Sequence, residues 1–409
     1  MIPQLFSIFL IFTLPLSDTI KVWFAQDSIG LRLVDFFDHA AASIDYCCFN
    51  SSRTDVTQTL INAHNRGVQV RVITDDSRLS NDWVIRLRTA GITVWTDSIA
   101  TGRSSYMHNK FALRDCADED PSNDLLWVAS YNPNRNELYA DCALEIPNNA
   151  LCAAYREEFN QMWGSSGPNP VPESARFHSA KQDGLATHYF VINGHPAYLY
   201  FSPQNQVVDT IAAFTSRAES EIFFAINSFT YDPLGDTMIA LWNRGITVAG
   251  TIDKAGANDP ASEYPRLRSW HIPILVDSIP FGNGILHEKI MLIDSNWCVT
   301  GSANWSLNAN IHNDENALIL SDPVVAQRFR EEILTRYLEA NGTYPPGIFE
   351  LPPFRTIQKT LSNLAHLNIL SQDGIYDALG RRVSNVKKLP SGVFFQLIND
   401  RYSYLIFIK

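Results

Sequence analysis

The sequence predicts an α/β fold built from two pseudo-symmetric halves that share one active site, followed by a small C-terminal β module. Three observations predict it. A series of strand and helix patterns occurs twice, the same polar motif closes the third strand of each series, and the composition changes after residue 345.

The repeat comes first. Residues 22–51, VWFAQDSIGLRLVDFFDHAAASIDYCCFNS, match residues 199–228, LYFSPQNQVVDTIAAFTSRAESEIFFAINS. Each carries an apolar strand, a polar turn, a helical pattern with small residues, and a second strand. HNRGVQVRVITDD (64–76) then answers WNRGITVAGTIDK (242–254). In both, Asn-Arg-Gly ends a helix with glycine just past its last turn and launches a β-branched strand. AGITVWTDS (90–98) answers SWHIPILVDS (269–278), a third strand after another helix. The offset between halves stays near 178 residues, and alternating strands and helices imply parallel pairing within each sheet.

The boundaries follow from the punctuation. Residues 1–17 contain an apolar run from Leu5 to Leu16, short for a bilayer span, which reads as the core of a signal peptide, with a retained anchor or a buried first strand as the alternatives, and predicts a secreted or cell-surface protein. The first half covers 18–163. A Gly-, Pro- and Ser-rich linker occupies 164–195, the second half 196–345, and a linker with a small β module 346–409. Six cysteines, Cys47, Cys48, Cys116, Cys142, Cys152 and Cys298, suit an exported protein but form no CxxC pair, so their pairing stays open beside a role as buried apolar fillers. The 409 residues are 45% hydrophobic and 18% charged, an ordinary globular composition. Residues 1–345 carry 24 Lys/Arg against 39 Asp/Glu, a body too acidic to suggest a basic stripe for tracking nucleic acid.

The chemistry lies in the duplicated motif. MHNKFALRD supplies His108, Lys110 and Asp115; LHEKIMLID supplies His287, Lys289 and Asp294. Both read H-x-K-x4-D, and two copies at matching points of a repeat make coincidence a poor explanation. Each is followed by a second polar cluster. WVASYNPN gives Ser130 and Asn132, with Asp141 beyond; WCVTGSANWS gives Ser302 and Asn304, with Glu315 beyond. On an extended strand, His and Lys two residues apart share a face, and halves packed about a pseudo-two-fold axis bring both pairs together.

That cluster suits a phosphodiester. Developing charge on phosphate oxygens is met by two lysines, two asparagines and two serines in a water-poor cleft. One histidine attacks as neutral imidazole with its other nitrogen held by an acceptor, for which Asp141 and Glu315 are available. The other starts as imidazolium and protonates the leaving alcohol. With the lysines neutralising charge, no metal or cofactor is required, and no cluster has zinc or calcium spacing. The residues alone leave either histidine as the attacker.

These motifs resemble the phospholipase D superfamily, whose signature is a doubled H-x-K-x4-D followed by G-S-x-N and an acidic residue; the likeness covers about residues 20–340. It implies two αβα-sandwich halves around a shared cleft. It also implies that His108 forms a phosphohistidine and that His287 acts as general acid, then as base for water. Lys110, Lys289, Asn132 and Asn304 would hold the phosphate with Ser130 and Ser302 nearby, while Asp141 and Glu315 orient the histidines. Asp115 and Asp294 read as structural supports. Three departures fall in the first half: Ala129 replaces the first glycine of the G-S pair, Asp141 stands where glutamate is usual, and 116–128 is a longer acidic insert.

The remaining features have plainer readings. His64, His178, His188, His195, His271 and His366 default to structure or solvent, with His312 a candidate to line the cleft near Glu315. Trp297 and Trp305 read as core, Trp305 with an alternative role against a substrate's apolar part. Asp118, Glu119 and Asp120 read as a solvated loop. The last ~50 residues resemble part of the sorting domain of the type IX secretion system on IYDALGRRV, LPSGVFF and Lys409, which implies secretion machinery as a partner; the alternative is a β appendage.

The expected function is hydrolysis of phospholipids to phosphatidic acid and an alcohol at a peripheral membrane surface. A metal-independent non-specific endonuclease acting on nucleic acid is the alternative within the superfamily, and a non-catalytic binding module the alternative outside it.

Overall fold

The computed structural model describes residues 19–100, 105–134, 139–277 and 284–340, together with three backbone strands, 374–377, 392–398 and 401–407. The expected signal segment 1–17, residues 341–373 with His366, and Lys409 lie outside the described residues.

The first half runs β1 (Lys21–Phe24), α1 (Ile29–Asp38), β2 (Ser43–Cys47), α2 (Thr54–Asn65), β3 (Gln69–Thr74), α3 (Asp82–Thr89), β4 (Thr93–Thr96), β5 (Phe111–Arg114), β6 (Leu125–Ala129), β7 (Cys142–Ile146) and α4 (Asn149–Trp163). Its seven strands lie in the order β1-β7-β6-β5-β2-β3-β4, with β2, β3 and β4 parallel and the remaining neighbours antiparallel. The second half adds a hairpin strand, β8 (Tyr189–Ile192), within the stretch expected as linker. It then repeats the series as β9 (His195–Ser202), α5 (Val207–Thr215), β10 (Glu221–Ile226), α6 (Asp232–Asn243), β11 (Thr247–Ile252), a short α7 (Lys254–Ala257), α8 (Glu263–Ser269) and β12 (Ile274–Val276). It continues with β13 (Lys289–Ile293), β14 (Trp297–Gly301), a short α9 (Leu307–Ile311), β15 (Glu315–Leu320) and α10 (Pro323–Glu339). Read from β8, the second sheet runs β8-β9-β15-β14-β13-β10-β11-β12, the order of the first with one strand added.

Alternation along the central strands shows why the sheets form. In β10, Ile222, Phe224 and Ile226 face one apolar cluster, with α5 and α6, while Phe223 and Ala225 face another. In β2, Ile44 and Tyr46 meet α1 and α2 while Cys47 faces the opposite side. Strands buried on both faces read as unbroken apolar runs, as expected for the centre of a covered sheet. The inward faces of both sheets contribute to one large core with α4 and α10, so each half is an αβα sandwich and the halves share their inner layer. Gly67 and Gly245 end α2 and α6 with φ of 94° and 87°, the left-handed conformation read from both Asn-Arg-Gly sequences.

The cysteines all sit in these cores as free, buried thiols, the second of their two readings. Trp305 is buried edge-on to Phe224 and Phe229, so it belongs to the core and not to a substrate surface. Asp118, Glu119 and Asp120 are exposed. Residues 349–409 form a separate unit, in which β16 (Gly374–Asp377), β17 (Gly392–Ile398) and β18 (Arg401–Phe407) make an antiparallel sheet.

Candidate active site

The two motifs meet because the halves exchange main-chain bonds. Met107 bridges Asp314 and Ala140 bridges Leu286, each in parallel. The His108 N–H donates to the Asp314 carbonyl at 3.0 Å, and the His287 N–H to the Ala140 carbonyl at 2.8 Å. Each histidine is therefore pinned beside the residue that precedes the other half's acid. The consequence is a crossed pair of dyads. His108 Nδ1 lies 2.8 and 2.9 Å from the two Glu315 carboxylate oxygens, and His287 Nδ1 lies 2.8 Å from Asp141 Oδ1.

The acids are themselves held. Ser302 Oγ donates to Glu315 Oε2 at 2.6 Å and Asn313 Nδ2 to Oε1 at 3.1 Å, while Ser130 Oγ donates to Asp141 Oδ1 at 2.7 Å. The two serines thus act through the acids. Asp141 Oδ2 is buried without a hydrogen bond, so the two dyads are not equivalent. Lys110 lies just before β5 and Lys289 opens β13; their ammonium groups donate to the carbonyls of His108 and His287 at 2.8 and 2.6 Å. Asn132 and Asn304 follow the serines, each with its amide oxygen buried and unpartnered.

Burial sets the charge states. It pushes His108 down to about 4, with Lys110 and Lys289 adding to the effect against the opposing pull of Glu315. His287 is lowered as well, by burial and then by Lys289. Burial lowers Lys110 to about 8, and burial with Lys110 beside it lowers Lys289 to about 7. Although burial alone would raise Glu315, its pairing and hydrogen bond with His108, with Lys110 and the Ser302 hydroxyl, outweigh this and hold the carboxyl below its usual range. Without a ligand both histidines are therefore disposed to be neutral. The imidazolium expected at one of them is not favoured by these surroundings alone.

The motif aspartates stand away from the cleft. Asp115 accepts from the N–H groups of Ala41, Ala42 and Ser43, and Asp294 from those of Glu219, Ser220 and Glu221. Each has left-handed φ, 60° and 52°, and ties the end of β5 or β13 to the start of β2 or β10. The glycine missing from the first half also has a local cause. At Gly301 (φ 141°) a Cβ would lie 2.3 Å from the Asn316 carbonyl oxygen, whereas Ala129 sits in the regular register of β6 opposite Ala143.

Three features escaped the sequence. Within the stretch around His312, the residue that reaches Glu315 is Asn313. His178, left to structure or solvent, lies in a buried ion network: its Nε2 is 2.9 Å from Asp97, its Nδ1 3.1 Å from Asp314, and Lys181 Nζ is 3.0 Å from Asp314. This linker segment thereby clamps the residue that bridges to His108. Phe49 packs edge-on against His108, with ring centroids 4.9 Å apart, and Tyr139 lies 6.4 Å from His287. None has an identical counterpart in the other half, so only the folded chain reveals them. Among the described residues one carboxylate group, Asp75, Asp76 and Asp97, is close enough to hold a cation, but its buried members already accept protein donors, Ser77 and Met107 at Asp75, and Asp76 and His178 at Asp97.

Two αβα halves with crossed His–acid dyads and paired lysines define a phospholipase D-type protein. The family model described as "Cardiolipin synthase, PLD-like domain" matches residues 33–163 and 211–336, and the chain belongs to that family. Among curated relatives, it is 28% identical over 136 residues to a mitochondrial cardiolipin hydrolase of Chlamydomonas reinhardtii, covering 32% of this chain and 56% of that one. A phospholipase D of Rickettsia prowazekii is 24% identical over 144 residues, covering 35% and 69%. The chain thus spans little more than half the length of the first of these. Phosphatidylserine synthase of Haemophilus influenzae Rd KW20 shares the fold, with a TM-score of 0.60 at 15% identity, covering 85% of this chain and 93% of that one.

Proposed function

We propose that this protein is a phospholipase D-type phosphodiesterase that hydrolyses phospholipids to phosphatidic acid and an alcohol through a phosphohistidine on His108. The observation that carries the reading is the pair of crossed dyads beside two buried lysines. In the first step His108 Nε2 attacks phosphorus while its Nδ1–H stays on Glu315. The P–O bond to the leaving alcohol breaks, and His287, protonated once the anionic substrate is bound, delivers a proton to that oxygen. In the second step His287 takes a proton from water, whose oxygen attacks phosphorus and breaks the P–N bond. Phosphatidate leaves, His108 returns to neutral imidazole, and His287 carries the proton again.

The assignment of roles rests on the inequality of the dyads. Glu315 holds Nδ1 of His108 with both oxygens and is fixed by two further donors, so His108 is the better-oriented nucleophile. Lys110, Lys289, Asn132 and Asn304 neutralise and position the phosphate. The relatives named cardiolipin hydrolase and phospholipase D support a phospholipid substrate, as does the acidic body. The apolar run near residue 5 and the C-terminal likeness support export, with the secretion machinery as partner.

The test compares purified protein on phosphatidylcholine vesicles, cardiolipin vesicles and single-stranded DNA, all in excess EDTA. Phosphatidic acid release that is lost in both His108→Ala and His287→Ala supports the reading, and acid-quenched peptide mapping should place the phosphoryl group on His108. Cleavage of DNA alone moves the protein to the nucleases.

A further inference from the structure

Ser302 Oγ makes three hydrogen bonds. It donates to Glu315 Oε2 at 2.6 Å, and it accepts from the Asn316 N–H at 3.1 Å and from Asn316 Nδ2 at 3.3 Å. A hydroxyl has one proton and two lone pairs, so this one is full, and its proton is committed to the acid of the His108 dyad. The Asn316 amide makes two more bonds. Its Nδ2 donates to Asn109 Oδ1 at 2.8 Å, and its Oδ1 accepts from the Tyr155 hydroxyl on α4 at 3.3 Å. Glu315, Ser302, Asn316, Asn109 and Tyr155 are all fully buried.

The two ends of an amide have nearly the same shape, so its partners decide which way it faces. Asn109 does not decide: its Nδ2 is buried without a partner, so it could turn over together with Asn316 and keep their mutual bond. The turned pair would aim Asn316 Oδ1 at Ser302 and compete with Glu315 for the serine proton. Tyr155 opposes this, because its buried O–H would then face an NH2 and lose its acceptor. The second half lacks each member of this chain. Cys142 follows its acid, and Glu288 stands between its motif histidine and lysine. Seven residues past the cap of α10 stands Phe329, as Tyr155 stands seven past the cap of α4. Among the described residues Ser130 accepts from the Cys142 N–H alone, at 3.0 Å, and its proton has the Cys142 carbonyl, at 3.4 Å, as a second acceptor beside Asp141.

We infer that Tyr155 and Asn316 are positioning residues for His108. The phenol fixes the amide, the amide fixes the Ser302 proton on Glu315, and Glu315 keeps the imidazole proton on Nδ1, which leaves Nε2 free to attack phosphorus. The inference rests on the reading of His108 as nucleophile. Its test is Tyr155→Phe, which removes one oxygen and copies the residue of the second half. Nitrogen-15 NMR of His108 in the intact protein at pH 7 should show the Nδ1–H tautomer in the wild type and a mixture of tautomers in the variant. On bis(p-nitrophenyl) phosphate kcat should fall about tenfold, the worth of one hydrogen bond to a charged group, with KM unchanged. Asn316→Cys, which copies Cys142, should lose as much, and adding Tyr155→Phe to it should cost nothing further, because the phenol acts through the amide. An unchanged tautomer in folded Tyr155→Phe overturns the inference whatever the rate, and so do additive losses in the double variant. Should Asn316→Cys fail to fold, the tautomer in Tyr155→Phe decides alone. If the protein cleaves no phosphodiester but the tautomer still shifts in Tyr155→Phe, the phospholipase reading fails and the positioning role stands.

Discussion

Replacing each dyad acid by its amide should give unequal losses. Both Glu315 oxygens accept: Oε1 from His108 and Asn313, Oε2 from His108 and Ser302. In Glu315→Gln the new NH2 must face a donor at either position. At Oε1 it opposes Asn313 Nδ2 and His108 Nδ1. At Oε2 it crowds Nδ1, and the Ser302 hydroxyl, which already accepts from the N–H and side chain of Asn316, loses its acceptor. The histidine then relaxes to the wrong tautomer, a fault that costs on the order of 10⁴ in kcat in a Ser-His-Asp triad. At Asp141 the geometry is more forgiving. Oδ1 accepts from His287 and Ser130, while Oδ2 is buried without a partner. An asparagine can keep its carbonyl at the first position and place its NH2 at the second, which preserves the tautomer and loses only the charge behind the proton donor, roughly 10- to 100-fold in kcat. Hydrolysis of bis(p-nitrophenyl) phosphate by both variants, with calorimetry to verify folding, measures the difference. Glu315→Gln should be slower than Asp141→Asn by at least about 30-fold. Equal losses from two folded variants would refute the reasoning that the free oxygen of Asp141 distinguishes the dyads.

Three further expectations follow from the site and its supports. In the free enzyme kcat/KM should rise with pH as His108 loses its proton near 4 and fall as Lys289 and Lys110 lose theirs near 7 and 8, whereas kcat, measured with the phosphate bound, should stay flat further into alkali. Asp115→Asn should destabilise by about 2–3 kcal/mol in urea titrations, because a buried carboxylate accepts three N–H groups there, and Asp294→Asn by less than half as much, because that site is half-exposed. Burial alone would lower His178, but Asp314 and Asp97 outweigh it and raise the imidazole to about 10. A raised folded pKa gives stability that is complete below the unfolded value of about 6.5 and lost as pH passes 10, so the gap in Tm between wild type and His178→Gln should close between those limits.

The fold was legible because duplication wrote it twice. The apolar run in EIFFAI and the glycine after each Asn-Arg pair specify strands and helix ends locally, and the matching offset supports each reading against its copy. The catalytic groups were legible for the same reason. What the sequence could not reveal was which acid serves which histidine: Asp141 is nearer to His108 in sequence, yet it bonds His287. That exchange depends on backbone bridges between loops, which leave no periodic signature. Nor could it reveal β8, a short strand in a stretch rich in turn formers, or His178, whose place in the ion network arises from contacts made once and not repeated.

The crossed dyads also bear on biosynthesis. His108 and its acid are separated by 207 residues, and His287 depends on Asp141 from the half made first. A growing chain that has completed the entire first sheet still holds only half of each dyad. On the proposed mechanism the site is complete only once β15 pairs into the second sheet and delivers Glu315, a long-range contact of the kind that slows folding. The proposed mechanism therefore expects a chain cut short before Glu315 to lack phosphodiesterase activity.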